Sequence, residues 1–304
     1  MPTSHLELNA CLLRYFEYLG KDLSANTIAA YTKDGMHFYA FWKANGTMDV
    51  TRALLISYFD QLALEYAFAS IARKYIAIRH VLNLHDIVLS QQDQVAIKMA
   101  LSKHKRVLGS KQKQAKAFRI EEFKAAIEKI DVSTWKGCRN KALLLLGFVT
   151  ASRRSELCYL KRSDITFCNG YAIISLSRSK TNPYGELEQK AVFAAEEERY
   201  CPIQSLKDWL LYVPDDAETP LFFAKHSHSK ALSNQSVNRI VKKVLGDAYS
   251  AHSLRVSFVT IAKRNNVQDS EILQQTKHKD SKMIARYTQL DNIIDHNAAK
   301  KLGL

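Results

Sequence analysis

The chain has few residues that can make tight turns, with ten glycines and five prolines among 304 residues. These two residue types separate the short strands of turn-rich all-β folds. Their scarcity favours long helices, and the length suffices for two domains that each bury a core. The predicted fold class is therefore mainly α with a small antiparallel β-sheet.

The first hundred residues predict consecutive amphipathic helices, because apolar residues recur at helical spacing throughout them. Ser24 and Thr51 stand at positions where a hydroxyl residue caps a helix start. The last of these helices is expected to end near Leu101. We therefore predict an all-helical domain at residues 1–102.

The charge balance points to a polyanionic partner. The chain carries 44 lysines and arginines against 30 acidic residues, a net charge of +14. A basic protein without such a partner is the alternative. Window 94–120 holds eight basic residues and no acidic one. We predict residues 103–117 to be an interdomain linker, either a strap across a phosphate backbone or a solvated segment.

The remaining residues, 118–304, predict an α+β domain. The turn pair Asn169-Gly170 separates two β-rich segments, and a third strand is expected at about 187–193. This is the one convincing β region in the sequence pattern. Helices are expected on both sides of it along the chain.

Cysteine usage and the N-terminus bear on location. The five cysteines form no C-x-x-C pair, which fits buried thiols in a reducing compartment and implies no metal. The N-terminal residues lack a basic and an apolar secretory region, and the longest apolar run, 142–149, is too short for a membrane span. We expect a cytoplasmic protein that needs no cofactor.

An ordered row of phosphate-handling residues lies near the C-terminus. His252 and Arg255 form His-x-x-Arg, followed by His278 and then Tyr287. Arginine binds phosphate oxygens in pairs, imidazole titrates near neutrality, and an activated phenol is a nucleophile. Each residue taken singly is more often a packing or surface residue. Their order and spacing together predict phosphoryl transfer.

Upstream residues extend this row. Arg153 is a second candidate phosphate clamp, and Glu156 follows one helical turn later, where it can orient cationic neighbours. Lys180 is placed at the tip of the predicted hairpin. There it can protonate a departing oxygen or simply keep the hairpin solvated.

These residues, in this order, resemble the tyrosine recombinase (phage integrase) family over most of the chain. The resemblance implies a simple two-domain enzyme with an N-terminal helical core-binding domain. It implies that a tyrosine attacks DNA to give a 3'-phosphotyrosyl bond, without metal or ATP. It assigns the catalytic positions to Arg153, Lys180, His252, Arg255, His278 and Tyr287, with Glu156 in support.

The sequence departs from the family pattern in three short segments near these residues. Ala151 and Lys277 stand where relatives commonly have glycine, in Thr-Gly-Leu-Arg and Leu-Gly-His. Val256 replaces a second basic residue after His-x-x-Arg. None of these changes removes a catalytic group, so we expect them to alter packing or DNA contacts.

The resemblance also implies partners. They are duplex DNA with paired inverted-repeat sites, held in a C-shaped clamp, and three further copies of the chain around a Holliday junction. Residues 293–304 would dock into a neighbouring protomer or fold back on their own domain. A free monomer, accessory proteins, and a bacterial, phage or plasmid setting at the nucleoid complete the expectation.

Candidate DNA-binding residues come from three basic regions, and a solvated helix face is the alternative for each. They are Arg73, Lys74, Lys105, Arg106, Lys113, Asn238, Arg239, Lys242 and Lys243. Two other functions would use a similar chain. A type IB topoisomerase would relax supercoils as a monomer, and a DNA-binding regulator would have a silent site.

Overall fold

The computed structural model describes residues 10–12, 14–15, 23–46, 49–109, 114–176, 188–224, 227–277 and 280–287, with the backbone alone at residues 227, 282, 286 and 287. The chain divides into two compact units, which we call unit 1 (Met1–Lys113) and unit 2 (Gln114–Leu304). The division falls inside the predicted linker of residues 103–117.

All regular elements described in unit 1 are helices. They are α1 (Ala25–Ala44), α2 (Arg52–Glu65), α3 (Phe68–Leu84) and α4 (Gln91–Leu108). Ser24 and Thr51 accept hydrogen bonds from the amides of Thr27 and Leu54, which confirms both predicted caps. The helices enclose a core rich in aromatic rings, in which Phe38 meets Tyr58 edge to face at 5.2 Å.

Helix α4 is longer than predicted. It ends at Leu108 rather than near Leu101, and Gly109 follows with φ +72°. The apolar period stops at Leu101, but the lysines and arginine beyond it are good helix formers. Three exposed basic residues of the predicted linker therefore lie on a helix: Lys103, Lys105 and Arg106.

Unit 2 combines helices with a three-stranded sheet. Its helices are α5 (Ile120–Glu128), α6 (Trp135–Val149), α7 (Arg154–Tyr159), α8 (Pro202–Leu210), α9 (Asn234–Leu245), α10 (Ala251–Arg264), α11 (Asp269–Thr276) and α12 (Ser281–Tyr287). None of the helices in the described part of the chain is long and apolar enough to cross a lipid bilayer.

The sheet of unit 2 is antiparallel, as predicted. Its strands β1 (Ile165–Phe167), β2 (Tyr171–Leu176) and β3 (Glu188–Phe193) lie in that order. Gly170, at φ +81°, turns the chain between β1 and β2 in a conformation that glycine adopts without steric cost.

A second, two-stranded sheet was not predicted. It pairs β4 (Phe223–Ala224) with β5 (Ser227–Ala231). The expectation of a single β region was therefore wrong. A two-residue strand is too short for the alternation of apolar and polar residues that marks a strand in a sequence.

Close packing around the end of α6 brings three helices together. A Cβ on Gly147 would lie 2.9 Å from Cδ1 of Leu157 and 3.0 Å from Cδ1 of Leu254. Glycine at this position therefore lets α7 and α10 approach α6. Since Arg153 directly precedes α7 and Arg255 lies on α10, this packing brings together the segments that carry the two predicted phosphate clamps.

Candidate active site

The site is built on a turn of residues 150–153 that follows α6. Ala151 adopts a left-handed conformation with φ +47°, and the amide of Ser152 donates back to the carbonyl of Gly147 at 3.1 Å. The hydroxyl of Thr150 lies 2.7 Å from that of Ser152. These local bonds fix the turn that leads to Arg153 at the start of α7.

Arg153 and Glu156 form an ion pair at this helix start. Nη1 of Arg153 donates to Oε1 of Glu156 at 2.6 Å, and the amide of Arg153 donates to Oε2 at 3.0 Å. The carboxylate is buried, whereas the Arg153 side chain keeps 19% of its surface exposed. The buried carboxylate of Glu156 therefore holds the guanidinium of Arg153, and the Arg153 side chain stays partly exposed to solvent.

Lys190, on β3, is the residue that sequence reasoning missed. Its side chain is buried, and Nζ lies 3.2 Å from Oε2 of Glu156 and 2.9 Å from the carbonyl oxygen of Thr150. The signal in the sequence is its phase. Lys190 lies two residues before buried Val192, so it belongs to the inward face of the strand, where a lysine is unusual.

The charges of this pair shift each other. Burial by itself raises the pKa of Glu156, but the positive charges of Lys190 and Arg153 outweigh that effect and leave the pKa lowered. Burial lowers the pKa of Lys190 to about 8, opposed by Glu156 and reinforced by Arg255 and Arg153. Glu156 is thus ionised at neutral pH between two cations, Lys190 and Arg153.

Arg255 lies on α10 and is almost completely buried. Nη1 donates to the carbonyl of Ala151 at 2.7 Å, and Nη2 donates to the carbonyl of Thr276 at 2.5 Å. One guanidinium therefore joins the turn that precedes α7 to the last residue of α11. Because a planar guanidinium keeps its charge and fixed geometry, the join is rigid.

The two residues that replace glycines of the family pattern share an unusual backbone conformation. Ala151 has φ +47° and Lys277 has φ +53°, so both are left-handed. Glycine adopts this conformation freely, whereas a residue with a Cβ does so at a cost. Arg255 bonds the carbonyl of Ala151 itself and that of Thr276, immediately before Lys277. The third departure, Val256, is buried in the core.

The structure describes the other predicted catalytic residues less completely. His252 is exposed on the first turn of α10, three residues before Arg255 and hence on a neighbouring part of the helix surface. Lys180 and His278 lie outside the described residues. The backbone of Tyr287 ends α12, and its side chain also lies outside what is described.

Helix α12 is attached to the same framework. Ile284 is buried and clusters with Val259 of α10 and Ile272 of α11. The side-chain amide of Gln275, on α11, donates to the carbonyls of Val149 and Ala191 at 2.8 and 3.1 Å. The backbone that carries Tyr287 is therefore tied to α10, which carries His252 and Arg255, and to α11.

The structure corrects one DNA-binding prediction in unit 1. Lys74 is buried, with Nζ 3.3 Å from Oδ1 of Asp34 and above the ring of Tyr66. Its ammonium serves to compensate a buried carboxylate and is not presented to a phosphate. Arg73 also pairs with Asp34, at 2.7 Å, but keeps half of its side chain exposed.

The remaining DNA-binding candidates differ in exposure. Lys105 and Arg106 are exposed on α4, and Lys113 lies outside the described residues. On α9, the side chain of Asn238 accepts a hydrogen bond from the amide of Ala251 at 2.9 Å, which ties it to the start of α10. Three other residues of α9 are exposed: Arg239, Lys242 and Lys243.

Comparison with known proteins covers both units. Residues 116–292 match the phage integrase family, and residues 12–84 match the phage integrase N-terminal SAM-like domain. The integrase/recombinase XerD homologue of Selenomonas ruminantium is 29% identical over 301 residues, which is 93% of this chain and 87% of that protein. Tyrosine recombinase XerD of Halalkalibacterium halodurans is 25% identical over 288 residues, 91% of each chain.

A solved structure shares the fold over nearly the whole length. The XerH site-specific recombinase, bound to palindromic difH substrate after cleavage, superposes with a TM-score of 0.66. It is 18% identical in sequence, and the match covers 97% of this chain and 96% of that one. This likeness confirms the predicted fold class, a helical N-terminal part followed by an α+β part.

Proposed function

This chain belongs to the phage integrase family, and from that membership we propose that it is a site-specific recombinase, which cleaves and rejoins DNA through a covalent tyrosine intermediate. The observation that carries the proposal is the network around residues 150–156. Inside the segment that matches the family, it fixes Arg153 against Glu156 and joins Arg255 to the same turn.

The proposed reaction begins with attack by Oη of Tyr287 on the scissile phosphorus. A phosphorus–oxygen bond to the phenol forms, the bond to the 5'-oxygen breaks, and Lys180 gives that oxygen its proton. His252 assists removal of the phenol proton. The products are a 3'-phosphotyrosyl bond and a free 5'-hydroxyl. A hydroxyl of the partner strand then reverses the step and joins new strands through a Holliday junction.

The arginines are proposed to stabilise the crowded phosphorane, together with His278. Lys190 and Arg153 contact the Glu156 carboxylate, and Arg255 adds a third cation whose charge acts on Lys190, so the site keeps an excess of positive charge. Groups fixed before the reaction stabilise a developing anion without having to reorganise. Arg153 is the described member of this set whose side chain is partly exposed, and it is therefore the one we assign to direct phosphate contact.

The proposed partners follow from the relatives. The XerH structure contains a difH DNA substrate, and by analogy we propose that this chain binds paired inverted-repeat sites in duplex DNA. Four copies would assemble on the DNA through residues 293–304, from monomers in the free state. The relatives come from bacteria, and we propose action on DNA in the bacterial cytoplasm, with accessory proteins where the site requires them.

A recombinase is favoured over the two alternative functions. The similar proteins are recombinases and integrases over more than nine-tenths of this chain, and none of those reported above is a topoisomerase. A regulator with a silent site would have no need to bury the charges of Lys190, Glu156 and Arg255 next to Arg153. Exposed basic helices alone would serve DNA binding.

Trapping of the covalent intermediate tests the proposal. In a pool of randomly nicked genomic fragments, some nicks lie beside a cleavage position, so that attack releases a short strand and the enzyme stays attached to the DNA. We expect a covalent adduct of the wild-type protein on a small set of fragments, which sequencing identifies. Tyr287→Phe is expected to bind the same fragments and to form no adduct, because the nucleophilic oxygen is missing.

Tyr171→Phe provides the matched control, since Tyr171 is an exposed tyrosine of β2 in the same unit. It is expected to form the adduct at the wild-type rate. An adduct that persists in Tyr287→Phe would refute the assignment of the nucleophile. Wild-type protein that binds DNA but forms no adduct with any fragment would refute the recombinase function.

A further inference from the structure

The ammonium of Lys190 lies in a place where lysine is costly. The side chain is 1% exposed, and its strand position pairs with buried Ile174 of β2. An isolated ammonium in a protein interior carries a large desolvation penalty unless partners surround it. An apolar residue would fill this strand position at less cost, so the charge needs an explanation.

Three acceptors surround this ammonium. Nζ lies 2.9 Å from the carbonyl oxygen of Thr150, 3.2 Å from Oε2 of Glu156 and 3.5 Å from Oγ of Ser152. An ammonium has three N–H donors, so these groups match its capacity. Lys190 is therefore committed to protein partners and does not serve as the acid that reaches the DNA.

The partners of Lys190 belong to one segment. Thr150 and Ser152 lie in the turn before α7, and Glu156 lies on the first turn of that helix. Arg153 stands between them and bonds Glu156. Arg255 also holds this segment, because it donates a hydrogen bond to the carbonyl of Ala151. Two cations from distant parts of the chain thus hold the turn that presents Arg153.

We propose, on the basis of the function proposed above, that Lys190 is a positioning residue of the active site, which fixes Arg153 for phosphate contact through Glu156 and the Thr150 carbonyl. Without it, Glu156 keeps a buried charge with Arg153 as the remaining cationic partner among the bonds described, and the turn loses its link to β3. The guanidinium then samples more positions, and small misplacements of a catalytic group lower the rate.

A simpler role would be charge compensation alone, in which Lys190 neutralises Glu156 for the sake of folding. The two roles differ in a double variant. Lys190→Met together with Glu156→Gln removes both charges, so folding no longer needs compensation. Under charge compensation alone this variant cleaves at the same rate as Glu156→Gln by itself. Under the positioning role it folds and cleaves more slowly than Glu156→Gln, because the Thr150 carbonyl has also lost its link to Lys190.

The experiment measures single-turnover adduct formation on nicked DNA at saturating protein, and DNA affinity separately. For Lys190→Met and the double variant we expect a cleavage rate at least about tenfold lower, with affinity within about twofold of wild type. Glu156→Gln is measured alone as well, and the double variant should be slower than it, because the link from Lys190 to the Thr150 carbonyl is also lost. Circular dichroism confirms that each variant is folded.

Lys129→Met is the matched control, since it removes the same charge at an exposed residue after α5. It is expected to cleave like wild type. A folded double variant that cleaves at the same rate as Glu156→Gln would overturn the positioning role and leave the recombinase function intact. If Lys190→Met does not fold, the double variant decides the question. Failure of the wild-type protein to form any adduct would instead refute the function on which this role rests.

Discussion

Single residues with unusual environments define this site more sharply than its surface residues do. Lys190, Arg255 and Glu156 are each at most 2% exposed, although all three are charged. Buried charges persist where partners compensate them, and removal of one partner leaves the other uncompensated. Substitution of these residues should therefore change the stability of the protein as well as its activity.

Lys190 should make stability depend on alkaline pH. Its pKa in the folded protein is about 8, below the ordinary value of 10.5, so between these values the unfolded chain binds more protons. Stability then rises with pH across that window, because folding no longer buries a charged ammonium. Urea unfolding at about pH 8 and about pH 10 should show wild type gaining up to about 2 kcal/mol relative to Lys190→Met.

The same measurements on Lys129→Met provide the comparison at an exposed lysine. Groups elsewhere in the protein also titrate in this range, and the difference between wild type and each variant cancels their contribution. The groups facing Lys190 are Glu156, Arg153 and Arg255. A gap between wild type and Lys190→Met that stays constant with pH would show that the ammonium does not titrate in this window.

At the scale of elements, the ends of helices determine how the site is assembled. The end of α6 leads into the turn before α7, and the end of α11 at Lys277 receives a bond from Arg255 through Thr276. Both ends contain a left-handed residue other than glycine. Each therefore stores a small amount of backbone strain beside a proposed catalytic residue.

Relief of this strain at the end of α11 should stabilise the protein. Lys277→Gly places glycine at φ +53°, where a residue with a Cβ is penalised. The gain, less the entropy cost of glycine, is roughly 0.5–1 kcal/mol, and a thermal melt should show a rise of about 2–4 °C. Lys277 is only partly buried, so little packing is lost.

Lys129→Gly is the matched control for this change. Lys129 follows α5 as its C-cap but has φ −75°, an ordinary right-handed value. Glycine relieves no strain there and is expected to leave the melting temperature unchanged or lower. Equal shifts in the two variants would mean that the left-handed conformation of Lys277 carries no cost.

At the scale of the whole molecule, the net charge of +14 is carried by both units. Unit 1 exposes Lys105 and Arg106 on α4, and unit 2 exposes Arg239 and Lys243 on α9. Other exposed cations are engaged in ion pairs, such as Arg199 with Glu128. Unpaired surface cations are the ones expected to displace counterions from DNA.

DNA affinity should therefore fall steeply with salt. The logarithm of the affinity for duplex DNA falls by about 0.9 per phosphate contact for each unit of the logarithm of salt concentration. Replacement of both Lys105 and Arg106 by alanine is expected to reduce this slope by up to about two. Fluorescence anisotropy with a labelled duplex at several salt concentrations measures it.

A double variant with the same change of net charge gives the control. Lys124 and Arg199 both pair with Glu197, so their replacement by alanine removes two cations from ion pairs at the surface. The salt slope is expected to stay near the wild-type value. If both double variants reduced the slope equally, net charge rather than the α4 residues would determine DNA affinity.

The sequence by itself determined the features that depend on neighbouring residues. Helical periodicity and the hydroxyl caps at Ser24 and Thr51 are local, and Gly170 turns the chain between β1 and β2 as the sequence predicted. The order of the arginines, histidines and tyrosine identified the chemistry, because phosphoryl transfer needs those groups in one set. The end of α4 and the two-residue strand β4 were not predicted, because neither leaves a periodic signal in the sequence.

Only the tertiary structure decided which charges are buried and what they hold. Lys190 lies 34 residues from Glu156, and Arg255 lies 104 residues from Ala151, yet each pair is in contact. The sequence predicts Lys74 to be a surface lysine, but in the fold it is buried against Asp34. The cost of burying a charge depends on partners that the folded chain supplies from distant segments, and a local pattern carries no information about them.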